Sequence, residues 1–107
     1  MKCLHIITPV KDSIDSTLET VKAIMESDIL VPFTYTVYND FSTEENTHRL
    51  EEAARQWNFR LVNLSDLTDH PSPNYLLVLQ TAQKEAIEAD AGLLIVESDR
   101  SEERRVG

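Results

Sequence analysis

Glycine is nearly missing from this chain. Two glycines in 107 residues exclude a glycine-rich loop wrapped around a phosphate, because that device needs several backbone positions free of a Cβ. A single cysteine, Cys3, excludes a disulfide framework and points to a reducing compartment, so a cytoplasmic location is expected. No apolar run approaches the ~20 residues of a membrane-spanning helix. Lys2 is followed only by a short apolar stretch ending at Pro9, which does not read as a signal peptide. Basic residues are also scarce: 10 Lys and Arg stand against 19 Asp and Glu, for a net charge of −9. That balance argues against nucleic acid or an anionic membrane as the main partner, and a bound cation would offset part of it.

What is present centres on Leu93-Leu94-Ile95-Val96-Glu97-Ser98-Asp99. Four consecutive apolar residues read as a strand buried on both faces, as inside a parallel sheet. The run breaks into two carboxylates separated by one serine. Ligands of open α/β sheets bind just outside the carboxyl ends of the strands, and an acid-x-acid step there suits a hard divalent cation. The alternative is a strand leaving the sheet into a solvated acidic loop, and the stretch alone does not choose between them.

The rest of the chain alternates. Cys3–Ile7 reads as a first strand that Thr8-Pro9 stops, since proline cannot continue a central ladder. Ile14, Leu18, Val21 and Met25 follow at helical spacing, with Ser16 and Glu19 as a capping box. Phe33–Tyr38, aromatic and β-branched, suits a second strand. Ser42 with Glu45 forms another capping box, opening a helix whose inner face carries Leu50, Ala53, Ala54 and Trp57. Phe59–Leu64 is a third strand, and Ser65–Ser72 a polar loop. Ser72 as N-cap and Pro73 at the first helical position open a third helix, with Leu76, Leu79, Gln83 and Ala86 near one face. Asp90-Ala91-Gly92 then leads into the final strand. The order β-α-β-α-β-α-β implies an α/β fold with parallel strands. Thr8-Pro9, Asn39-Asp40 and Glu97-Ser98-Asp99 would then share one sheet edge and converge on one crevice.

These residues together resemble the amino-terminal half of the family 2 glycosyltransferases. Thr8-Pro9-Val10-Lys11 sits at that family's first-strand proline motif. Tyr38-Asn39-Asp40-Phe41-Ser42-Thr43-Glu44 resembles its second-strand signature, and Glu97-Ser98-Asp99 falls where it carries an Asp-x-Asp metal motif. Asn39 replaces the first aspartate of the second-strand signature, Phe41 its usual glycine, and Glu97 the first acid of the metal motif. The resemblance implies a partial GT-A fold, three-layered and Rossmann-like, with a mainly parallel sheet in strand order 3-2-1-4 and helices on both faces. It implies transfer of a sugar, with inversion, from a nucleotide-diphosphate sugar (a UDP-sugar first) to a hydroxyl of a glycan or lipid-linked acceptor. Thr8, Pro9, Val10, Asn39, Asp40 and Glu97 would bind the nucleotide sugar, with Asp40 on the uracil or ribose and Glu97 near the donor ribose or sugar. Asp99 would hold a divalent cation, Mn or Mg. No residue matches the catalytic base, which in the family lies beyond the metal motif. A longer parent would work in the cytoplasm or at the cytoplasmic face of a membrane.

Other residues invite weaker readings. Trp57, at helical spacing from Leu50, Ala53 and Ala54, is a core residue before it is a stacking platform. His5 belongs inside a strand, His48 on a solvated helix face, and His70 with Asp66 and Asp69 in a polar loop that matches no ligand spacing. Two other classes stay open: another α/β metal- or phosphate-binding domain, and a non-catalytic interaction module. Residues 100–107, Arg-Ser-Glu-Glu-Arg-Arg-Val-Gly, resemble a sequencing adapter translated in frame. The expected organisation is therefore a truncated donor-binding domain at 1–99 followed by a foreign, disordered tail, the fragment by itself being inactive.

Overall fold

Parallel strands cannot be joined by a tight turn, so each return to the sheet requires a crossover, here a helix every time. The computed structural model describes residues 3–71 and 73–97. Its elements run β1 (Cys3–Val10), α1 (Ile14–Met25), β2 (Phe33–Asn39), α2 (Glu44–Trp57), β3 (Arg60–Asn63), a short 3-10 turn (Leu64–Asp66), α3 (Tyr75–Glu88) and β4 (Ala91–Ile95). The four strands form one all-parallel sheet in the order β3-β2-β1-β4, as expected. Asp99 and residues 100–107, including the proposed tail, lie outside the described residues, as does Ser72.

Period-two alternation sorts the side chains of β1 and β2 between two apolar layers. Ile6, Val10, Tyr35 and Val37 pack with Ile14, Val21 and Leu50 beneath α1 and α2. Ile7 and Tyr38 face the other way, onto Leu64, Val78 and Ala82 beneath α3. The sheet is thus covered on both faces. Trp57 packs against the first layer, the core role its spacing indicates.

Several local expectations are corrected. β1 does not stop at Thr8-Pro9 but runs to Val10, with Pro9 opposite Tyr38. In a parallel strand the N–H and C=O of one residue face the same neighbour, and residues alternate between neighbours. Val10 C=O accepts the Asp40 N–H on the β2 side, and Ile7 C=O accepts the Val96 N–H on the β4 side. Pro9 therefore turns its missing N–H toward β4, whose last paired residue lies opposite Ile7, and no ladder bond is lost.

The final strand is not buried on both faces. β4 pairs with β1 alone among the described residues, and Leu94 is 44% exposed. Helix starts also shift. Ser13, not Ser16, precedes α1, and its side chain caps nothing. Thr43, not Ser42, caps α2 by accepting the Asn46 N–H. Asn74 precedes α3, two residues later than the Ser72-Pro73 start. The buried face of α3 is Val78, Ala82 and Ala86, whereas Leu76 is 66% exposed. Small alanines let this helix lie close to the sheet, which the larger leucines would prevent. The third strand is also shorter than Phe59–Leu64, because Leu64 turns into the 3-10 segment.

Candidate functional site

Parallel pairing brings the carboxyl ends of β1, β2 and β4 to one edge, and with them Pro9, Val10, Asn39, Asp40 and Glu97. Thr8 is near this edge but fully buried, and its hydroxyl accepts a hydrogen bond from the Tyr35 phenol at 2.7 Å. Burial holds that phenol's pKa up at about 12, so Tyr35 stays a donor. Val10 lies in the core.

Asn39 is buried and has its amide fully engaged. Nδ2 donates to Thr47 Oγ1 at 2.8 Å and to Asn63 Oδ1 at 2.9 Å, while Oδ1 accepts the Ser42 N–H at 3.1 Å. One side chain thereby joins the end of β2 to α2, to β3 and to the loop between β2 and α2. Asn39 therefore ties three elements together at the edge where the family resemblance places a nucleotide contact.

Two loops are clamped together beside it. Lys11 Nζ donates to the Phe41 C=O at 2.6 Å, and the Asp12 N–H donates to Ser42 Oγ at 2.8 Å. In return Asp12 Oδ1 accepts the Thr43 N–H at 2.7 Å and Asn46 Nδ2 at 3.0 Å. Asp12 and Phe41 both adopt left-handed backbone, with φ of 61° and 60°. For a phenylalanine this costs about 1–2 kcal/mol. Its ring packs against the layer containing Ile7, Tyr38 and Leu64, which offsets the cost. Phe41 thus holds a backbone conformation that a glycine would adopt without steric cost.

The donors around Asp12, Asn46 first and Thr43 second, hold its carboxyl below the usual range. A folded-state value below the unfolded one means a contribution present above the unfolded pKa and lost as pH falls through the folded value. Asp12→Ala should remove that acid-side loss, and Thr43 amide hydrogen exchange should speed up in the same variant. Unchanged exchange at Thr43 would show that the clamp does not order this loop.

Asp40 is 8% exposed. Its Oδ2 accepts the Asn74 N–H at 2.8 Å, and its Oδ1 accepts Asn74 Nδ2 at 2.9 Å. This joins the residue after β2 to the start of α3. Next along α3, the Tyr75 hydroxyl donates to Glu97 Oε2 at 3.3 Å. Asp40, Asn74, Tyr75 and Glu97 so form a connected row along the carboxyl edge. The sequence reading missed Asn74, and it gave no role to Lys11, quoted only within the proline motif, or to Asp12. The available signal for Asn74 was an asparagine directly before an apolar helical run, hidden by the stronger Ser-Pro start two residues earlier.

The opposite edge holds a groove of about 800 Å³ lined by Cys3, His5, Phe33, Thr34, Arg60 and Glu85, among others. None of the expected ligand residues lines it. Arg60 grips Glu85 through two hydrogen bonds of 3.1 and 2.7 Å. His5 is 6% exposed; its Nδ1 shares a 2.8 Å hydrogen bond with Thr34 Oγ1, and its Nε2 lies 3.4 Å from Glu85 Oε1. Burial lowers the His5 pKa below 6.5, outweighing the opposite pull of Glu85. The unfolded chain therefore takes up this proton first, and stability is lost as pH falls below 6.5 toward the folded value. Denaturation midpoints should drop between about pH 7.5 and about pH 5, and His5→Gln should flatten that slope. An unaltered slope in the variant would assign the effect to other groups.

No family model and no curated protein matches the sequence. Among solved structures, S. aureus TarS 1–349 superposes with a TM-score of 0.65 at 23% identity, over 92% of this chain and 28% of that one. The chain shares its fold with TarS, a glycosyltransferase. A second TarS crystal structure gives a TM-score of 0.58 at 22% identity, over 92% of this chain and 17% of its own. The chain thus spans less than a third of either TarS structure, and at these identities the likeness to TarS speaks to fold. No helix among the described residues is long and apolar enough to cross a membrane.

Proposed function

We propose that the chain is the donor-binding part of a glycosyltransferase that moves a sugar from a nucleotide diphosphate, UDP first, to an acceptor hydroxyl on a glycan or lipid-linked sugar. The observation that carries this reading is the row Asp40, Asn74, Tyr75 and Glu97 along the carboxyl edge, in a fold shared with TarS. In this reading Pro9 and its neighbours line the nucleotide pocket, the Asp40 segment meets the nucleoside, and Glu97 sits on the sugar side of the donor. Its Tyr75 hydrogen bond holds that carboxylate in place before the donor arrives.

A divalent cation, Mn or Mg, belongs to the proposal. Among the described residues no cluster of three His, Cys, Asp or Glu side chains could enclose an ion. The edge instead offers Glu97, with Asp99 two positions on. A cation that takes one or two carboxylates and completes its shell with diphosphate oxygens fits that donor set. Asp99 would hold it, and the bound ion would supply Lewis-acid neutralisation of the leaving diphosphate. Inversion at the anomeric carbon, and a catalytic base and acceptor site supplied by a longer parent, complete the reading. So does the division into a donor-binding segment at 1–99 and a foreign tail at 100–107.

The test is calorimetric titration of the 107-residue chain with UDP, with and without Mn. Binding that tightens when both are present supports the donor-site reading. UDP that fails to bind in the presence of Mn overturns it.

A further inference from the structure

In the family resemblance the carboxylate after β2 reads the nucleotide directly, but both Asp40 oxygens here already accept hydrogen bonds from Asn74. Asn74 Nδ2 also donates to the His70 C=O at 2.9 Å. An amide nitrogen carries two hydrogens, so the donor capacity of this side chain is spent, on Asp40 and on His70. What it donates to also fixes its orientation. The carbonyl Oδ1 of Asn74 accepts nothing from the described residues. Nor is it sealed off, since the one fully buried side-chain N or O without a hydrogen-bond partner among the described residues is His5 Nε2. Asn74 itself is 9% exposed. The result is an oriented hydrogen-bond acceptor at the carboxyl edge, unpaired among the described residues.

We propose that Asp40 is a positioning residue and that Asn74 Oδ1 is the group that reads the base, accepting the imide N–H of a uracil-type ring. The inference rests on the donor-site reading above. An imide presents an N–H between two carbonyls, whereas cytosine presents an acceptor nitrogen at the same ring position. Against an acceptor whose own donors are committed, only the imide pairs there. The mismatched base would leave two acceptors facing each other in a largely desolvated place.

The experiment compares three probes on the 107-residue chain with Mn: UDP, 3-methyluridine diphosphate, which lacks the imide hydrogen, and CDP. UDP should bind roughly tenfold to a hundredfold more tightly than either of the others. Asn74→Ala should bind UDP and its 3-methyl analogue equally. A second readout uses the unmodified chain and does not depend on the variant folding. The imino proton of bound, nitrogen-15-labelled UDP should be protected from solvent and show a nuclear Overhauser contact with the Asn74 side-chain amide hydrogens. Equal binding of UDP and 3-methyluridine diphosphate overturns the inference and leaves the donor site standing, as does discrimination that persists in Asn74→Ala. Absence of UDP binding overturns the donor site itself.

Discussion

An Asn39→Leu chain should lose about 3 kcal/mol or more of stability, read as a lower urea midpoint. Asn39 is 3% exposed, and its amide makes three hydrogen bonds, to Thr47, Asn63 and the Ser42 N–H. Leucine keeps the branched heavy-atom skeleton of asparagine while removing every polar atom, so the effect reports chiefly on the polar network. The partners left behind each face the desolvation cost of an unmade bond, about 1–3 kcal/mol for a buried group. A domain whose total stability is about 5–15 kcal/mol cannot absorb much of that. Asn39→Asp, which keeps the shape of the side chain, should cost less. Thr47 can turn its hydroxyl to donate, and Asn63 can rotate its amide to present nitrogen instead of oxygen. A leucine variant as stable as the parent would show that β3 and α2 are not tied through this side chain.

Asp40→Ala should act on binding and on stability together. Removal of the carboxylate leaves the Asn74 N–H and one hydrogen of Nδ2 without the acceptor they now share. Hydrogen bonds to a charged group contribute about 1.5–3 kcal/mol each, so a loss of about 2 kcal/mol is expected once local relaxation is allowed. The start of α3 loses its tether, and UDP affinity should fall by more than about tenfold, because the binding geometry is set through that tether. Calorimetry and urea titration on the same sample separate the two effects. Full UDP affinity in a destabilised Asp40→Ala chain would reduce Asp40 to a purely structural role.

The parallel α/β arrangement was legible in the sequence, because strands alternating with amphipathic helices leave few topologies open, whereas the order β3-β2-β1-β4 was implied by the family resemblance. The placement of Asn39, Asp40 and Glu97 at one edge follows from that alternation alone. What was hidden depends on pairing partners that the local sequence does not name. Pro9 looks like a stop until one knows which neighbour its nitrogen faces and that β4 ends opposite Ile7. Ser42 looks like the cap of α2, yet its hydroxyl receives the Asp12 N–H from a loop 30 residues earlier. The inner face of α3 is set by how near the helix lies to the sheet, and the alanines that allow this carry a weak hydrophobic signal. Asn74 is overshadowed by the Ser72-Pro73 helix start, and its partner Asp40 lies 34 residues away in sequence.

Pro9 has a further consequence for the space between β1 and β4. The next rung of their ladder would need an N–H from residue 9, and proline has none. β1 continues to Val10 alongside β2, while its pairing with β4 ends at Ile7. The zipper joining β1 to β4 thus has a covalent end stop. A proline here keeps the seam from closing over the ground that the proposed nucleotide would occupy.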